Sequence, residues 1–226
     1  MTAADTAGTG LRERLERALP TLGLSLDGVQ IDALLGYLAL IQKWNKVYNL
    51  TAVRDPADML THHLLDSLAV VAPLRVRLAE VKPQGARLLD VGSGAGLPGI
   101  VIAICCPGIQ VDCVDTVAKK AAFIQQVAVT LKLPNLRGVH ARVESLSGPY
   151  DVISSRAFAS LADFITWSRG ALAGQGIWLA MKGKHPADEL VALPGDVEVF
   201  HVEQLAVPGL DAERCIVWMR ARAAAV

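Results

Sequence analysis

The stretch RLLDVGSGAGLPGIVIAI, residues 87–104, carries the clearest structural signal in the chain. A short apolar run leads into three glycines at alternate positions, and a second apolar run of helical length follows. Side chains in such a turn would prevent the backbone from bending tightly and from approaching a ligand. The stretch therefore predicts a buried strand, a ligand-binding glycine loop and a helix, in that order.

Strand and helix patterns continue to alternate after this stretch. The β-branched runs IQVDCVD, LRGVHA, YDVISS and GIWLAMKG alternate with helical patterns, which predicts a mainly parallel sheet with helices on both faces. The last two runs, VEVFHVEQLAV and ERCIVWMRA, are separated only by a loop. We therefore expect them to form an antiparallel pair.

The first eighty residues have helical patterns instead. Leucines recur every four residues in LRERLERAL, Asp27 is a suitable N-cap for a longer second helix, and a further helical pattern follows Asp55. We predict a disordered lead over residues 1–10, an N-terminal helical cap over 11–80 and a sheet domain over 81–226.

Composition narrows the class of protein. Hydrophobic residues make up 52% of the chain and charged residues 19%, which excludes a disordered chain. The 22 basic and 22 acidic residues balance, which weighs slightly against a nucleic-acid binder but allows a local basic face. We expect a soluble cytoplasmic protein without a membrane segment. Four cysteines without a C-x-x-C pair or a histidine cluster predict buried free thiols and no metal.

The spacing of the glycines distinguishes two kinds of ligand. A dinucleotide fingerprint would need a glycine where Leu97 stands, and Asp90 precedes the first glycine by two residues. A carboxylate there repels a pyrophosphate but suits a cationic ligand such as S-adenosylmethionine. Alternatively, Asp90 only braces the turn through backbone hydrogen bonds, and both roles are compatible.

Two positions after the next strands favour an adenosyl ligand. Asp115 ends the second strand, where a carboxylate accepts hydrogen bonds from ribose hydroxyls of either NAD or S-adenosylmethionine. Val143 and Glu144 follow the third strand, where an adenine edge would lie. Glu144 could equally be a charge at the start of a helix. Asp112 is expected to point elsewhere and to be structural.

Five motifs carry a resemblance to a known family. LLDVGSGAGLPGI, KWNKVYNLTAVRDP, HLLDSL, SSRAFASL and MKGK resemble the RsmG (GidB) family of bacterial 16S rRNA guanine-N7 methyltransferases. The resemblance implies a class I S-adenosylmethionine-dependent methyltransferase, an α/β Rossmann-like fold. Its seven-stranded, mainly parallel sheet ends in an antiparallel hairpin and follows an N-terminal helical extension. It also implies methyl transfer to N7 of guanine 527 in the 530 loop. This sequence departs from the family pattern at His62, where the family commonly has arginine.

The resemblance and the residues together define the predicted cofactor site. The family's cofactor positions fall on Gly92, Leu97, Val143, Glu144 and Arg156. The full predicted cofactor set is Asp90, Gly92, Gly94, Gly96, Leu97, Asp115, Thr116, Val143, Glu144 and Arg156.

The chemistry of guanine N7 limits what catalysis requires. N7 has an in-plane lone pair and no proton to lose, so we expect no metal, nucleophilic residue or general base. The protein must mainly hold N7 in line with the sulfur–methyl bond. Arg156 is the best candidate for a catalytic residue, paired with the cofactor carboxylate or with guanine O6.

The substrate side is predicted from basic and aromatic residues. The candidate RNA contacts are Lys43, Lys46, Arg54, His63, Lys182 and Lys184. The loop lysines could instead be solvated, and Trp44 is expected to pack against the main domain. The expected partner is 16S rRNA within the 30S subunit or an assembly intermediate, bound by a monomer. A methyltransferase for another acceptor and a non-catalytic S-adenosylmethionine sensor remain alternatives.

Overall fold

The computed structural model describes residues 3–82 and 84–222, and within them the chain forms a seven-stranded sheet with helices on both faces. The strands are β1 (Arg87–Val91), β2 (Gln110–Asp115), β3 (Leu136–His140), β4 (Tyr150–Arg156), β5 (Leu172–Lys182), β6 (Val197–Gln204) and β7 (Cys215–Ala221). Their order is β3-β2-β1-β4-β5-β7-β6. β1 to β5 are parallel, and β7 is antiparallel to both β5 and β6. The predicted fold class, including the final hairpin, is confirmed.

The helices cover the sheet and form the cap that precedes it. They are α1 (Ala3–Ala18), α2 (Gly28–Tyr48), α3 (Pro56–Met59), α4 (Asp66–Leu68), α5 (Val71–Val81), α6 (Gly99–Cys105), α7 (Ala118–Thr130), α8 (Leu161–Ser168) and α9 (Ala187–Val191). A capping box starts α2, because Asp27 accepts from the amide of Gln30 and Gln30 accepts from the amide of Asp27.

The start of the chain differs from the prediction. The sequence indicated a disordered lead over residues 1–10, whereas α1 begins at Ala3; residues 1–2 lie outside the described part. The physical reason is the alanine-rich composition of residues 3–7, which favours helix over coil and extends the amphipathic helix towards the N-terminus.

The third predicted helix of the cap is divided. A π-helical segment, Leu60–Leu65, lies between α3 and α4, and a turn separates α4 from α5. Pro73 is the third residue of α5, in the first turn, where a missing amide proton costs no hydrogen bond, so a new helix can begin at Val71. Asp66 begins α4 directly after the π-helical segment and is buried.

Alternate residues of the central strands belong to two hydrophobic clusters, one on each face of the sheet. Leu88 of β1 belongs to the cluster that contains α6, α7 and the cap, whereas Leu89 belongs to the cluster that contains α8. The cap therefore shares a continuous core with one face of the sheet.

Gly99, in the stretch LPGI, allows α6 to pack closely on the sheet. A methyl group at Gly99 would lie 2.3 Å from Sγ of Cys113 on β2 and 3.0 Å from Cβ of Asp90 on β1. Only glycine permits this approach, which brings the start of α6 against the carboxyl end of β1.

Candidate active site

The strand order reverses between β1 and β4. In an open parallel sheet, ligands bind at this point, beyond the carboxyl ends of the strands. Two adjoining cavities of about 390 and 470 Å³ lie there, and Gly92 and Ala157 line both of them. The predicted glycine loop is therefore located where this fold binds ligands.

The glycine loop forms a cradle that a side chain would fill. Its glycines have left-handed backbone conformations, with φ of +64° at Gly92, +59° at Gly94 and +92° at Gly96. The amide of Gly92 donates to the carbonyl of Val114 on β2 at 3.0 Å. A methyl group at Gly92 would lie 2.2 Å from Cδ2 of Phe158, so only glycine leaves room for that ring.

The helical cap supports this loop from the other side. Tyr37 of α2 is fully buried, and its hydroxyl donates to the carbonyl of Ala95 at 2.7 Å. The ring of Tyr37 stacks with that of Phe123 on α7. Trp44 packs on the Phe123 ring as well, with a distance of 5.3 Å between the ring centroids. Trp44 also contacts Tyr48 at 5.0 Å. The expected packing role of Trp44 against the main domain agrees with these contacts.

The first cavity combines apolar and aromatic walls with a buried carboxylate. Its lining residues are Val91, Gly92, Val114, Asp115, Thr116, Val117, Lys120, Ala141, Arg142, Val143, Glu144, Ala157, Phe158 and Trp167. Five of the predicted cofactor residues come together here, at positions 92, 115, 116, 143 and 144. Phe158 and Trp167 form an edge-to-face pair here, with ring centroids 5.8 Å apart, and neither residue was predicted from the sequence.

Asp115 is held in a fixed orientation at this cavity. Its side chain is buried, and Oδ2 accepts from the amide of Gly94 at 3.0 Å while Oδ1 accepts from the amide of Val117 at 2.9 Å. Lys120 Nζ lies 3.5 Å from Oδ2. Each carboxylate oxygen has a second lone pair, so Asp115 retains capacity to accept hydrogen bonds from a ligand.

Val143 and Glu144 lie in a short 3₁₀ turn that lines the first cavity. Val143 is buried, whereas Glu144 is exposed and pairs with Arg142 at 3.0 Å. Hydrogen bonds to the Glu144 carboxylate from its own backbone amide and from Arg142 lower the pKa of that group. The two neighbours thus present an apolar surface and a charged rim.

Asp90 has the bracing role that the sequence allows for it, and its contact with the cofactor stays a prediction. Asp90 is fully buried and is not among the residues that line the two cavities. Its Oδ2 accepts from the amide of Gly99 at 3.1 Å, and its Oδ1 accepts from the hydroxyl of Ser154 at 2.8 Å. Gly96 is likewise absent from both linings; a methyl group there would lie 2.3 Å from Cδ1 of Ile100.

Asp90 should make stability depend on pH in an unusual direction. Burial raises its pKa to about 7, so the folded state keeps this proton at pH values where the unfolded chain has lost it. The free energy of unfolding should therefore fall as pH rises from about 4 to about 7, by up to about 4 kcal/mol from this group.

Asp90→Asn removes the titration but keeps partners for Gly99 and Ser154. Urea unfolding of both proteins between pH 4 and 8 should show the stability of the wild type relative to the variant declining across this range. A constant difference would show that Asp90 is ionised in the folded protein.

The second cavity lies between the glycine loop, the cap and the ends of β4, β5 and β7. Its lining residues are Leu50, Thr51, His62, His63, Asp66, Gly92, Ser93, Gly94, Ala95, Leu97, Arg156, Ala157, Met181, Lys182, Gly183 and Arg214. The predicted residues Leu97, His63, Arg156 and Lys182 meet here, although they come from four separate segments of the sequence.

Arg156 is fixed at the end of β4 by two acceptors from the cap. Its Nη1 donates to the carbonyl of His62 at 3.0 Å and to Oδ2 of Asp66 at 2.9 Å. The other oxygen of Asp66 accepts from Nε of Arg214 at 2.7 Å. Neither Asp66 nor Arg214 was predicted as a site residue, although the stretch HLLDSL contains the aspartate.

His63 is a buried, neutral group at the wall of this cavity. Its Nε2 lies 2.9 Å from Oγ1 of Thr51, and burial lowers its pKa. Among the described residues, Nδ1 of His63 has no hydrogen-bond partner. The uncharged ring makes a poor phosphate anchor.

The predicted RNA-contacting lysines and arginine are separated by the fold. Lys182 donates to both carboxylate oxygens of Glu189, at 2.9 and 2.8 Å, and to the carbonyl of Ala159 at 3.2 Å. Its charge is thus paired within the protein, and its contact with an rRNA phosphate stays a prediction. The exposed candidates Lys43, Lys46, Arg54 and Lys184 are not among the residues that line the cavities.

Three further features are the state of the cysteines, the arrangement of metal-binding side chains and the length of the apolar helices. All four cysteines are buried and free. Within residues 3–82 and 84–222, no group of three or more His, Cys, Asp or Glu side chains is placed to hold a metal ion. The helices of the same described ranges include none with the length and apolar character needed to cross a membrane.

Comparison with known proteins assigns the family. The sequence model described as "GidB: rRNA small subunit methyltransferase G" matches residues 30–217, more than half of the chain. The chain belongs to the GidB family. A GidB relative from Acidovorax sp. (strain JS42), named ribosomal RNA small subunit methyltransferase G, is 67% identical over 219 residues, which cover 95% of this chain and 97% of the relative. A second, from Albidiferax ferrireducens, carries the same name and is 69% identical over 217 residues, which cover 93% and 97%.

Solved structures resemble this GidB chain in fold. TrmN from Thermus thermophilus matches with a TM-score of 0.54 at 18% identity, covering 72% of this chain and 53% of TrmN. A SAM-dependent methyltransferase from Aquifex aeolicus matches with a TM-score of 0.53 at 15% identity, covering 73% and 98%. At these identities the likeness shows the methyltransferase fold alone.

Proposed function

We propose that this GidB chain transfers a methyl group from S-adenosylmethionine to N7 of guanine 527 in the 530 loop of 16S rRNA. Membership of the family and the shared name of its relatives support rRNA methylation. The observation that carries the proposal is the Gly92 cradle, which lines one cavity together with Asp115 and the other together with Arg156.

The residues of the first cavity fit the adenosine part of the cofactor. Val143 and Phe158 offer apolar surface for the adenine ring, and Asp115 offers acceptors for ribose hydroxyls. S-adenosylmethionine has no phosphate, so a buried carboxylate beside the loop is not repelled by a pyrophosphate. The residues proposed to hold it are Gly92, Gly94, Leu97, Asp115, Thr116, Val143, Glu144 and Arg156. When bound, it supplies a methyl group on a positively charged sulfur.

The contribution of the chain is to position the base and exclude water. Guanine N7 has no proton to lose, so no side chain of the second cavity has to act as a base. Holding two reactants in line can contribute on the order of 7–11 kcal/mol to lowering a barrier. Arg156, fixed by Asp66 and the carbonyl of His62, is the candidate for the residue that touches the reacting groups.

The RNA is proposed to approach the second cavity. The expected partner is 16S rRNA presented by the 30S subunit or an assembly intermediate, because a single loop base is accessible only when the surrounding RNA exposes it. We further propose that the protein acts as a monomer in the cytoplasm.

Mapping of a labelled methyl group tests this function. The wild type is incubated with radiolabelled S-adenosylmethionine and 30S subunits that lack the methyl group, with naked 16S rRNA in parallel. Borohydride and aniline then cleave the RNA at 7-methylguanosine. We expect a single cleavage at guanine 527. Label at another base, or cofactor binding without transfer to either RNA, would contradict the proposal.

A further inference from the structure

Arg214 lies beside Arg156 because of the sheet topology. It immediately precedes β7, whose first residue, Cys215, pairs with Lys182 at the end of β5. Since β7 runs antiparallel to β5, its beginning lies at the same edge of the sheet as the carboxyl ends of β4 and β5. Arg214 therefore lines the second cavity, although it is 58 positions after Arg156 in the sequence.

A single buried carboxylate holds the two guanidinium groups. Asp66 has a side chain that is only 4% exposed, and each of its oxygens accepts from one arginine, at 2.9 Å from Arg156 and 2.7 Å from Arg214. Hydrogen bonds between ionised groups are short and strongly oriented, especially where water is excluded. The cap thus fixes two side chains of the sheet domain in relation to each other.

This cluster has a net positive charge and a guanidinium nitrogen that is available to a ligand. Two guanidinium groups share one carboxylate, so the cluster carries a net positive charge at the cavity. Arg214 uses Nε for Asp66 and Nη1 for the carbonyl of Glu213. Among residues 3–82 and 84–222, no protein acceptor is bonded to Nη2 of Arg214, and its side chain is 24% exposed.

We propose that Arg214 binds a backbone phosphate next to the target guanine and that Asp66 is the positioning residue that aligns it. The inference rests on the proposed function and adds to it the side chain that positions the RNA substrate. A guanidinium fork on the N7–O6 edge of guanine would occupy the lone pair that has to attack, so the phosphate is the acceptor compatible with the reaction. The S-adenosylmethionine carboxylate is the other oxyanion in the reaction, and the test separates the two.

Arg214→Ala is the test variant, because Asp66 keeps Arg156 as a partner and the fold should persist. We expect the KM for 30S subunits to rise about tenfold, as for loss of a hydrogen bond to a charged group. The magnitude of the slope of log affinity against log salt concentration should decrease by about 1, the value expected for the loss of one phosphate contact. The Kd for S-adenosylmethionine, measured by calorimetry, should not change. Arg214→Lys should restore the salt slope.

Arg220→Ala is the matched control. It removes the same charge from the other end of β7, where Arg220 is exposed and pairs with Glu198. Its KM and salt slope should equal those of the wild type. Asp66→Asn should raise the KM for 30S subunits in the wild type but raise it little further in the Arg214→Ala background, because Asp66 acts on the phosphate contact through Arg214. A loss of turnover that comes through Arg156 should appear in both backgrounds.

The outcomes separate this inference from the proposed function. If the wild type methylates 30S subunits and Arg214→Ala has an unchanged KM and salt slope, only the inference is wrong. A weaker Kd for S-adenosylmethionine in Arg214→Ala would assign the arginine to the cofactor carboxylate and overturn the phosphate role. If the wild type methylates no RNA, the proposed function fails first.

Discussion

Gly92→Ala is expected to weaken the binding of S-adenosylmethionine by about 100-fold, the effect of 1–3 kcal/mol of overpacking at a ligand-binding wall. The added methyl group would lie 2.2 Å from Cδ2 of Phe158. Phe158 lines the first cavity, so a ring displaced by the methyl group takes space that the ligand needs. Calorimetric titration with the cofactor measures the loss.

Gly85→Ala separates this collision from backbone strain. Gly85 has φ of +66°, nearly the value of +64° at Gly92, but a methyl group there would have no atom within 4 Å. Both variants should lose about 1–2 kcal/mol of unfolding free energy through the left-handed conformation. Only Gly92→Ala should lose affinity for the cofactor. Equal affinity in the two variants would remove the Gly92 cradle from the ligand site.

Arg156→Ala is expected to lower single-turnover methyl transfer by about 100-fold or more, the size expected when reacting groups are misplaced by about 1 Å. The fold should remain intact, because Asp66 retains its hydrogen bond from Arg214. Transfer to 30S subunits at saturating cofactor gives the rate, and thermal melting checks the fold.

Arg156→Lys is the control for charge alone. Lysine keeps the positive charge but lacks the planar guanidinium group, whose Nη1 donates to Asp66 and to the carbonyl of His62, and it has one nitrogen where arginine has three. It should therefore recover only a small part of the activity. Near-normal turnover in Arg156→Ala would exclude this residue from the site.

The fold was predictable because its signals are local. The alternation of strand and helix patterns and the loop between the last two strands predicted the sheet and its hairpin. The Gly92 loop was predictable for the same reason, since its glycine spacing follows directly after a strand. The bracing role of Asp90 depends on its burial and on hydrogen bonds from Gly99 and Ser154, whereas its contact with the cofactor stays a prediction.

The polar half of the site was not predictable, because its contacts join distant segments. Asp66 and Arg214 are 148 residues apart and meet only because β7 enters the sheet beside β5. The ion pair of Lys182 was not predictable either. Its partner Glu189 lies on α9, a short helix without an apolar repeat, so no sequence pattern indicates that the two charges pair.

One measurement tests most directly that the site at the strand-order reversal performs the reaction. Wild type, Gly85→Ala and Gly92→Ala are incubated with the same unmethylated 30S subunits and a cofactor concentration near the wild-type Kd, and 7-methylguanosine is mapped by borohydride–aniline cleavage. We predict cleavage at guanine 527 alone for wild type and Gly85→Ala, and a near-complete loss for Gly92→Ala. Equal cleavage by both variants, or wild-type label at a different base, would contradict the account.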